Sequence, residues 1–270
     1  MEQRLNAVIF TSSSSPYAPL VLGPILEKYA GHIKAVVTLD QTTGGSRLRK
    51  IRSVVRVAGF RYAMLKLILF GSIRIRQMVG NYPTISTLCR VHGIRELVLP
   101  SLKRESTIHQ LRDLKPGIVL SVLFEKIFPD EILQIPTMAA LNFHPAPLPR
   151  YAGIAPTFWV LSNGEKETAV TIHHLDVGID TGDIFAQSTV GIKEDDSVHA
   201  LYVRCCLQGS RLLAEAFERL FRGECVRTSQ NMDERSYFSS PTRKGYSSLC
   251  RHGHALWVLR DILFPLRSRE

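Results

Sequence analysis

The stretch "LNFHPAPLPRYAG", residues 141–153, sets an asparagine and a histidine two positions apart at the entrance of a proline-rich turn. Side chains alternate along extended chain, so Asn142 and His144 face one way while Phe143 turns toward a core. Pro145, Pro147 and Pro149 let neither a helix nor a paired strand continue, which leaves the exit path stiff. Thirty-six residues after His144, Asp180 sits in "DVGIDTG", an acidic, glycine-bearing turn between two apolar runs. An amide can donate to an oxygen that becomes negative, an imidazole can polarise a group or shuttle a proton, and a carboxylate can orient and charge that imidazole. The three would suit acyl transfer with no serine or cysteine nucleophile. Each type is equally common as a cap or turn residue, so the residues alone leave both readings open. His173 and His174 alternate along "TIHHL", so at most one faces the cleft; a structural role is read for both, with His174 the one placed to assist. No spacing of His, Cys and Asp marks a metal site.

The elements that must position these residues follow from periodicity. Apolar runs alternate with helical patterns over the first half, as in an α/β fold built on a mostly parallel sheet with helices on both faces. Strands are expected at 6–10, 33–39, 96–100, 117–123 and 138–143, the last ending in the asparagine. Helices are expected at 20–29, 84–93, 106–114 (with Ser106 as N-cap) and over "PDEILQI". After the proline turn come a helix over "APTFWVLSNG", strands at 168–175 and 183–192 flanking the acidic turn, and a long helix from Ser197 to Phe221. One α/β domain over 1–221, with a basic insertion at 41–80 and a short extension at 222–270, is the economical division.

The net charge of +10 is concentrated. Residues 41–80 hold nine basic side chains and no acid, and the rest of the chain is near neutral. Such a patch suits an anionic partner (a nucleotide diphosphate, tRNA or an acidic membrane surface) or a solvated helix face. "RSVVRVAGFRYAMLKLILF", 52–70, has helical propensity; Arg61 and Lys66 exclude a membrane span, leaving packing on the domain or a second subunit, or surface association with a membrane. The five cysteines lack CxxC spacing and no signal-peptide core is present, so a cytoplasmic, thiol-reducing setting is expected.

Residues 141–184 resemble the folate-dependent formyltransferase family. The family pattern N-x-H-P-[SA]-x-L-P, G-x-x-P, E-T-G-V-T and D-x-G-x-D-T-G appears in order as "NFHPAPLP", "GIAP", "ETAVT" and "DVGIDTG". The resemblance extends more loosely over about 1–220 and implies a Rossmann-like formyltransferase fold with Asn142, His144 and Asp180 as the catalytic set. It implies 10-formyltetrahydrofolate as co-substrate, with no metal, the pterin held by backbone of Lys126, Ile127 and Phe128 and of Asp176, Val177, Gly178 and Ile179. Direct attack of an amine on the formyl carbon follows, with Asn142 and a protonated His144 on the oxyanion. Ala152 stands where relatives often carry arginine, and Phe124-Glu125 where a glycine is common. Residues 222–270 look too short and helix-like for the β-barrel that follows the catalytic domain in methionyl-tRNA formyltransferases.

The function expected is formyl transfer to a primary amine of a small, anionic acceptor, best a nucleotide-linked amino sugar, with Ser12–Ser15 and the basic segment as candidate phosphate contacts. Activity on charged tRNA, on another small amine, or hydrolysis of the formyl-folate are the alternatives. A homodimer is compatible with the same residues.

Overall fold

The computed structural model describes residues 5–40, 55, 59–263 and 266. Its frame is a seven-stranded sheet. β1 (Ala7–Thr11), β2 (Ile33–Leu39), β3 (Glu96–Leu99), β4 (Ile118–Val122) and β5 (Ala139–His144) run parallel, and β7 (Glu167–His174) and β8 (Ile184–Gly191) are antiparallel additions at one edge. The spatial order is β3-β2-β1-β4-β5-β7-β8, so the order reverses between β1 and β4, where open α/β sheets form a crevice at their carboxyl ends. β6 (Ala152–Gly153) and β9 (Tyr237–Phe238) make a separate two-stranded ribbon.

Alternation along each central strand divides two cores. Ala7, Ile9, Ile118, Leu120, Leu141 and Phe143 pack with α1 (Ala18–Lys28), α3 (Ile85–Val91), α6 (Pro156–Ser162) and α7 (Val198–Phe221). Val8, Phe10, Val119 and Ala140 face the other side and meet Leu111 of α4 (Glu105–Asp113) and Ile132 of α5 (Asp130–Leu133). Because both faces are covered, β1 and β4 are buried at every position. This is the mostly parallel, doubly covered sheet expected from the sequence.

Two expected details shift. Ser106 lies inside α4, which begins at Glu105 behind Arg104, a residue in extended conformation that makes no side-chain cap. In the basic segment the helix α2 runs Phe60–Met78, past the expected end at Phe70; Val55 is helical, and residues 41–54 and 56–58 lie outside the described ones. Gly59 and Gly80, with φ of 86° and 76°, bracket α2 in a left-handed backbone that most residues avoid. Leu69 and Ile73 continue the buried periodicity past Gly71, so no core contact ends the helix at Phe70. The tail ends in α8 (Arg243–Arg251) and α9 (Leu259–Leu263).

Phe143, between the two residues of interest, is seated by a glycine. A Cβ on Gly209 of α7 would collide with the Phe143 ring. Gly209→Ala should therefore destabilise the fold by about 1–3 kcal/mol through overpacking, read as a lower urea midpoint. Gly71→Ala, a helical glycine with open space around it, should stabilise by about 0.5–1 kcal/mol.

Candidate active site

The second core ends where α5 ends its cover. One register step beyond Ala140 on the same face comes Asn142, then His144. Antiparallel pairing sets His173 of β7 directly opposite Asn142 and Thr171 opposite His144, and such cross-strand partners share a face. The amide of Asn142 donates from Nδ2 to His173 Nε2 at 3.1 Å, while His173 Nδ1–H donates to the carbonyl of His174 at 2.8 Å. His174 points the other way, its Nε2–H donating to Val226 O at 2.9 Å. The histidine pair is thus split as alternation requires, but it is His173, read from sequence as structural, that joins Asn142. The signal was the antiparallel register, which only strand pairing supplies.

Asp180 closes the cluster. Its φ of 55° places it in the left-handed region, where aspartate is tolerated better than most residues. The carboxylate stands 3.7 Å from His144 Nδ1 through Oδ2 and 3.5 Å from His173 Nε2 through Oδ1. Oδ2 also accepts a hydrogen bond from the Gly153 N–H at 2.8 Å. Burial opposes ionisation, but the facing imidazoles of His144 and His173 and the Gly153 N–H outweigh it and hold the carboxyl well below the usual carboxylate range.

His144 is buried, and its Nε2–H donates to the Tyr151 carbonyl at 3.1 Å. Burial pushes this imidazole below its ordinary value of 6.5; Asp180 offsets part of the effect and His173 adds to it. A resting His144 is therefore neutral near neutral pH, because desolvation outweighs the carboxylate. With Nε2 protonated, Nδ1 presents its lone pair toward Asp180 and can accept a proton there.

The proline turn is tied down from several sides, with Leu148–Pro149 in the cis form. Thr171 Oγ1 donates to Ala146 O at 2.6 Å and Gln187 Nε2 to Leu148 O at 3.0 Å. Tyr151, at φ 61°, gives its N–H to Ser236 Oγ at 2.9 Å. The segment after α7 braces the acidic turn as well: Gln230 Nε2 donates to the carbonyls of Asp180 and Gly182 at 3.1 and 2.7 Å, and Arg235 Nη2 to Ile179 O at 3.0 Å. β9 pairs with β6, so Phe238 stacks on Tyr151 and a Cβ on Gly153 would meet Phe238 O and the Tyr237 ring. Sequence reading assigned this segment no part in the site. A two-residue strand whose partner lies far upstream has no local period to detect.

The two loops expected to hold a pterin flank the cluster at the carboxyl ends of β4 and β7. Lys126 and Ile127 are exposed, Ile127 at 73 %, whereas Phe128 is buried against Phe10. On the acidic turn Val177 and Ile179 are exposed, and Asp176 accepts from Gly178 N–H and Thr181 Oγ1. Apolar tips on both loops with polar groups between them fit a flat heteroaromatic ring edged by amide groups.

An open, doubly covered α/β sheet with a converging amide, imidazoles and carboxylate at its carboxyl end defines a member of the α/β enzyme class. Residues 7–217 match the family model described as formyl transferase, and the chain belongs to that family. Among curated proteins it is 37 % identical over 149 residues to methionyl-tRNA formyltransferase of Citrifermentans bemidjiense, covering 55 % of this chain and 47 % of that protein. It is 32 % identical over 165 residues to methionyl-tRNA formyltransferase of Caldanaerobacter subterraneus subsp. tengcongensis, covering 61 % and 53 %. The chain thus spans about half the length of the curated relatives it matches. An N-formyltransferase from Helicobacter canadensis, solved with folinic acid and dTDP-3-aminofucose, shares the fold at TM-score 0.58 and 21 % identity, over 87 % of this chain and 71 % of that one. Phosphoribosylglycinamide formyltransferase from Streptococcus pneumoniae does so at TM-score 0.55 and 18 % identity, over 82 % and 99 %.

The lowered imidazole has a thermodynamic consequence. As pH falls from about 7 to about 5, the unfolded chain protonates at His144 while the folded site resists, so stability declines with acid. His174, lowered mainly by burial, acts in the same direction. The urea midpoint should fall over this window, and fall less in His144→Gln; an equal fall in both proteins would contradict a buried neutral His144. Asp180 contributes no slope here, because its carboxylate stays ionised in both states.

Proposed function

We propose that the protein transfers a formyl group from 10-formyltetrahydrofolate to a primary amine of a small anionic acceptor, with a nucleotide-linked amino sugar as the best fit. The observation that carries this reading is the convergence of Asn142, His173, Asp180 and His144 between two apolar-tipped loops. The folate would supply a formyl carbon for direct attack by the amine, with negative charge building on the formyl oxygen. Asn142 spends one amide hydrogen on His173 and keeps the other for that oxygen. Asp180, held ionised, orients the amine. His144 Nδ1 takes the surplus proton by way of water and Asp180, which stabilises the imidazolium so formed, and returns it to the departing nitrogen. The backbone of Lys126 to Phe128 and of Asp176 to Ile179 would hold the pterin.

Positive charge for an anionic acceptor is available at the edge of the acidic turn, where Arg235 is bonded to Ile179 O and its guanidinium lies over the Tyr237 ring. Ser12–Ser15 follow β1 at the same end of the sheet and are candidate phosphate contacts. The fold shared with a protein solved with an amino-sugar nucleotide supports this acceptor class. Charged tRNA is the second reading, favoured by the curated relatives of that activity, whose length this chain half covers.

The test incubates purified protein with 10-formyltetrahydrofolate and a panel of amino-sugar nucleotides, amino acids and charged tRNA. Formylation of a sugar nucleotide supports the proposal, formylation of charged tRNA replaces its acceptor, and folate turnover without acceptor identifies a hydrolase. Asn142→Ala should lower kcat about 100- to 1000-fold, the usual cost of one oxyanion donor. Near-full activity in that variant would remove Asn142 from the mechanism.

A further inference from the structure

We propose that α2 and α9 form a docking surface for an anionic lipid membrane. One side of α2 is accounted for: Leu69 and Ile73 are buried against the domain, and Phe70 meets Tyr17 edge-on at 6.5 Å. The other side is not. Phe60, Met64, Leu67, Ile68, Ile75 and Met78 recur at helical spacing and stand exposed, Phe60 at 69 % and Met78 at 86 %. A helix packed on a globular domain ordinarily turns polar residues to this side. Here apolar side chains recur at both ends of a helix about 28 Å long, on either side of Gly71. α9 packs beside α2, Arg76 Nη2 donating to Leu263 O at 3.2 Å, and adds the exposed Leu259 and Leu263. Exposed apolar patches mark interaction surfaces.

Charge selects the occupant. No acid occurs between Asp40 and Glu96, and α2 itself carries Arg61, Lys66, Arg74 and Arg76. At 100° per residue the exposed Arg74 borders the stripe, whereas Arg76 falls about 20° from buried Leu69 and turns toward α9. A second copy related by a twofold axis would add its own Arg74 to the same surface, with no carboxylate on α2 to pair it. Acidic headgroups complement this charge, and an apolar stripe bordered by a basic side chain is the make-up of a helix lying in the plane of an interface. Among the described residues no helix is long and apolar enough to cross a membrane, so the surface would lie on the bilayer. Tyr82, just past α2, donates to Pro16 O at 3.0 Å, so this region packs over the loop after β1, at the end of the sheet that holds Asn142.

The experiment mixes the full chain with vesicles of phosphatidylglycerol and phosphatidylethanolamine, and separately with vesicles of phosphatidylcholine, and reads co-sedimentation. Binding to the anionic vesicles alone, weakening as salt rises, is expected. Arg74→Gln should weaken it about fivefold. The doubly substituted Ile75→Glu, Met78→Glu protein should lose it while keeping the wild-type unfolding midpoint, since both side chains are exposed. Absence of binding to either vesicle, or a concentration-dependent dimer that Ile75→Glu dissociates, would overturn the proposal.

Discussion

The structure is organised around one buried carboxylate. The Oδ2 of Asp180 accepts the Gly153 N–H, and the rings of His144 and His173 stand 3.7 and 3.5 Å from its two oxygens, where either ring stabilises the carboxylate once it is protonated. Each partner comes from a different element. Gly153 N–H arrives from the far end of the proline turn, His144 from the tip of β5 and His173 from β7. The chain at Asp180 adopts a left-handed backbone to reach all three, a conformation that costs about 1–3 kcal/mol and persists when its surroundings over-determine it. Asn142 is drawn into the same network through His173. The geometry of the cluster therefore follows from satisfying this single charge.

Rigidity around that charge is distributed. Thr171 and Gln187 hold the proline turn from the sheet, and Ser236 and Phe238 hold it from outside. The acidic turn is held by Gln230 and Arg235 through its carbonyls. Gly153 and Gly182 permit these close approaches: a Cβ on the first would strike Phe238 O and on the second His174 O. Such bracing matches what oxyanion stabilisation demands, namely donors held in place before charge develops.

Much of this was legible in the sequence, for identifiable reasons. The places of the strands in the first half, 117–123 among them, and the long helix to Phe221 rest on local periodicity, which survives in any tertiary setting. The shared facing of Asn142 and His144 follows from the two-residue repeat of a strand, and Phe143 indeed turns into the core. The end of α2 was harder, because its apolar residues lie on both sides of the helix, one set packed and one exposed. Ser106 resembled a cap because serine favours that position locally, yet the cap position falls two residues earlier, at Arg104.

The sequence by itself determined which residues carry chemistry and that they lie past strand ends, since residue type and side-chain period are local properties. Only the tertiary structure decided that His173, not His174, stands beside Asn142, because the register of β5 against β7 is set by a pairing across the sheet. It likewise decided that His144 rests neutral, since desolvation depends on everything packed around a ring and not on its neighbours in the chain. The embrace of both turns by residues 228–238 belongs to the same category: its hydrogen bonds join residues 44 to 87 positions apart, a separation across which no local pattern carries information.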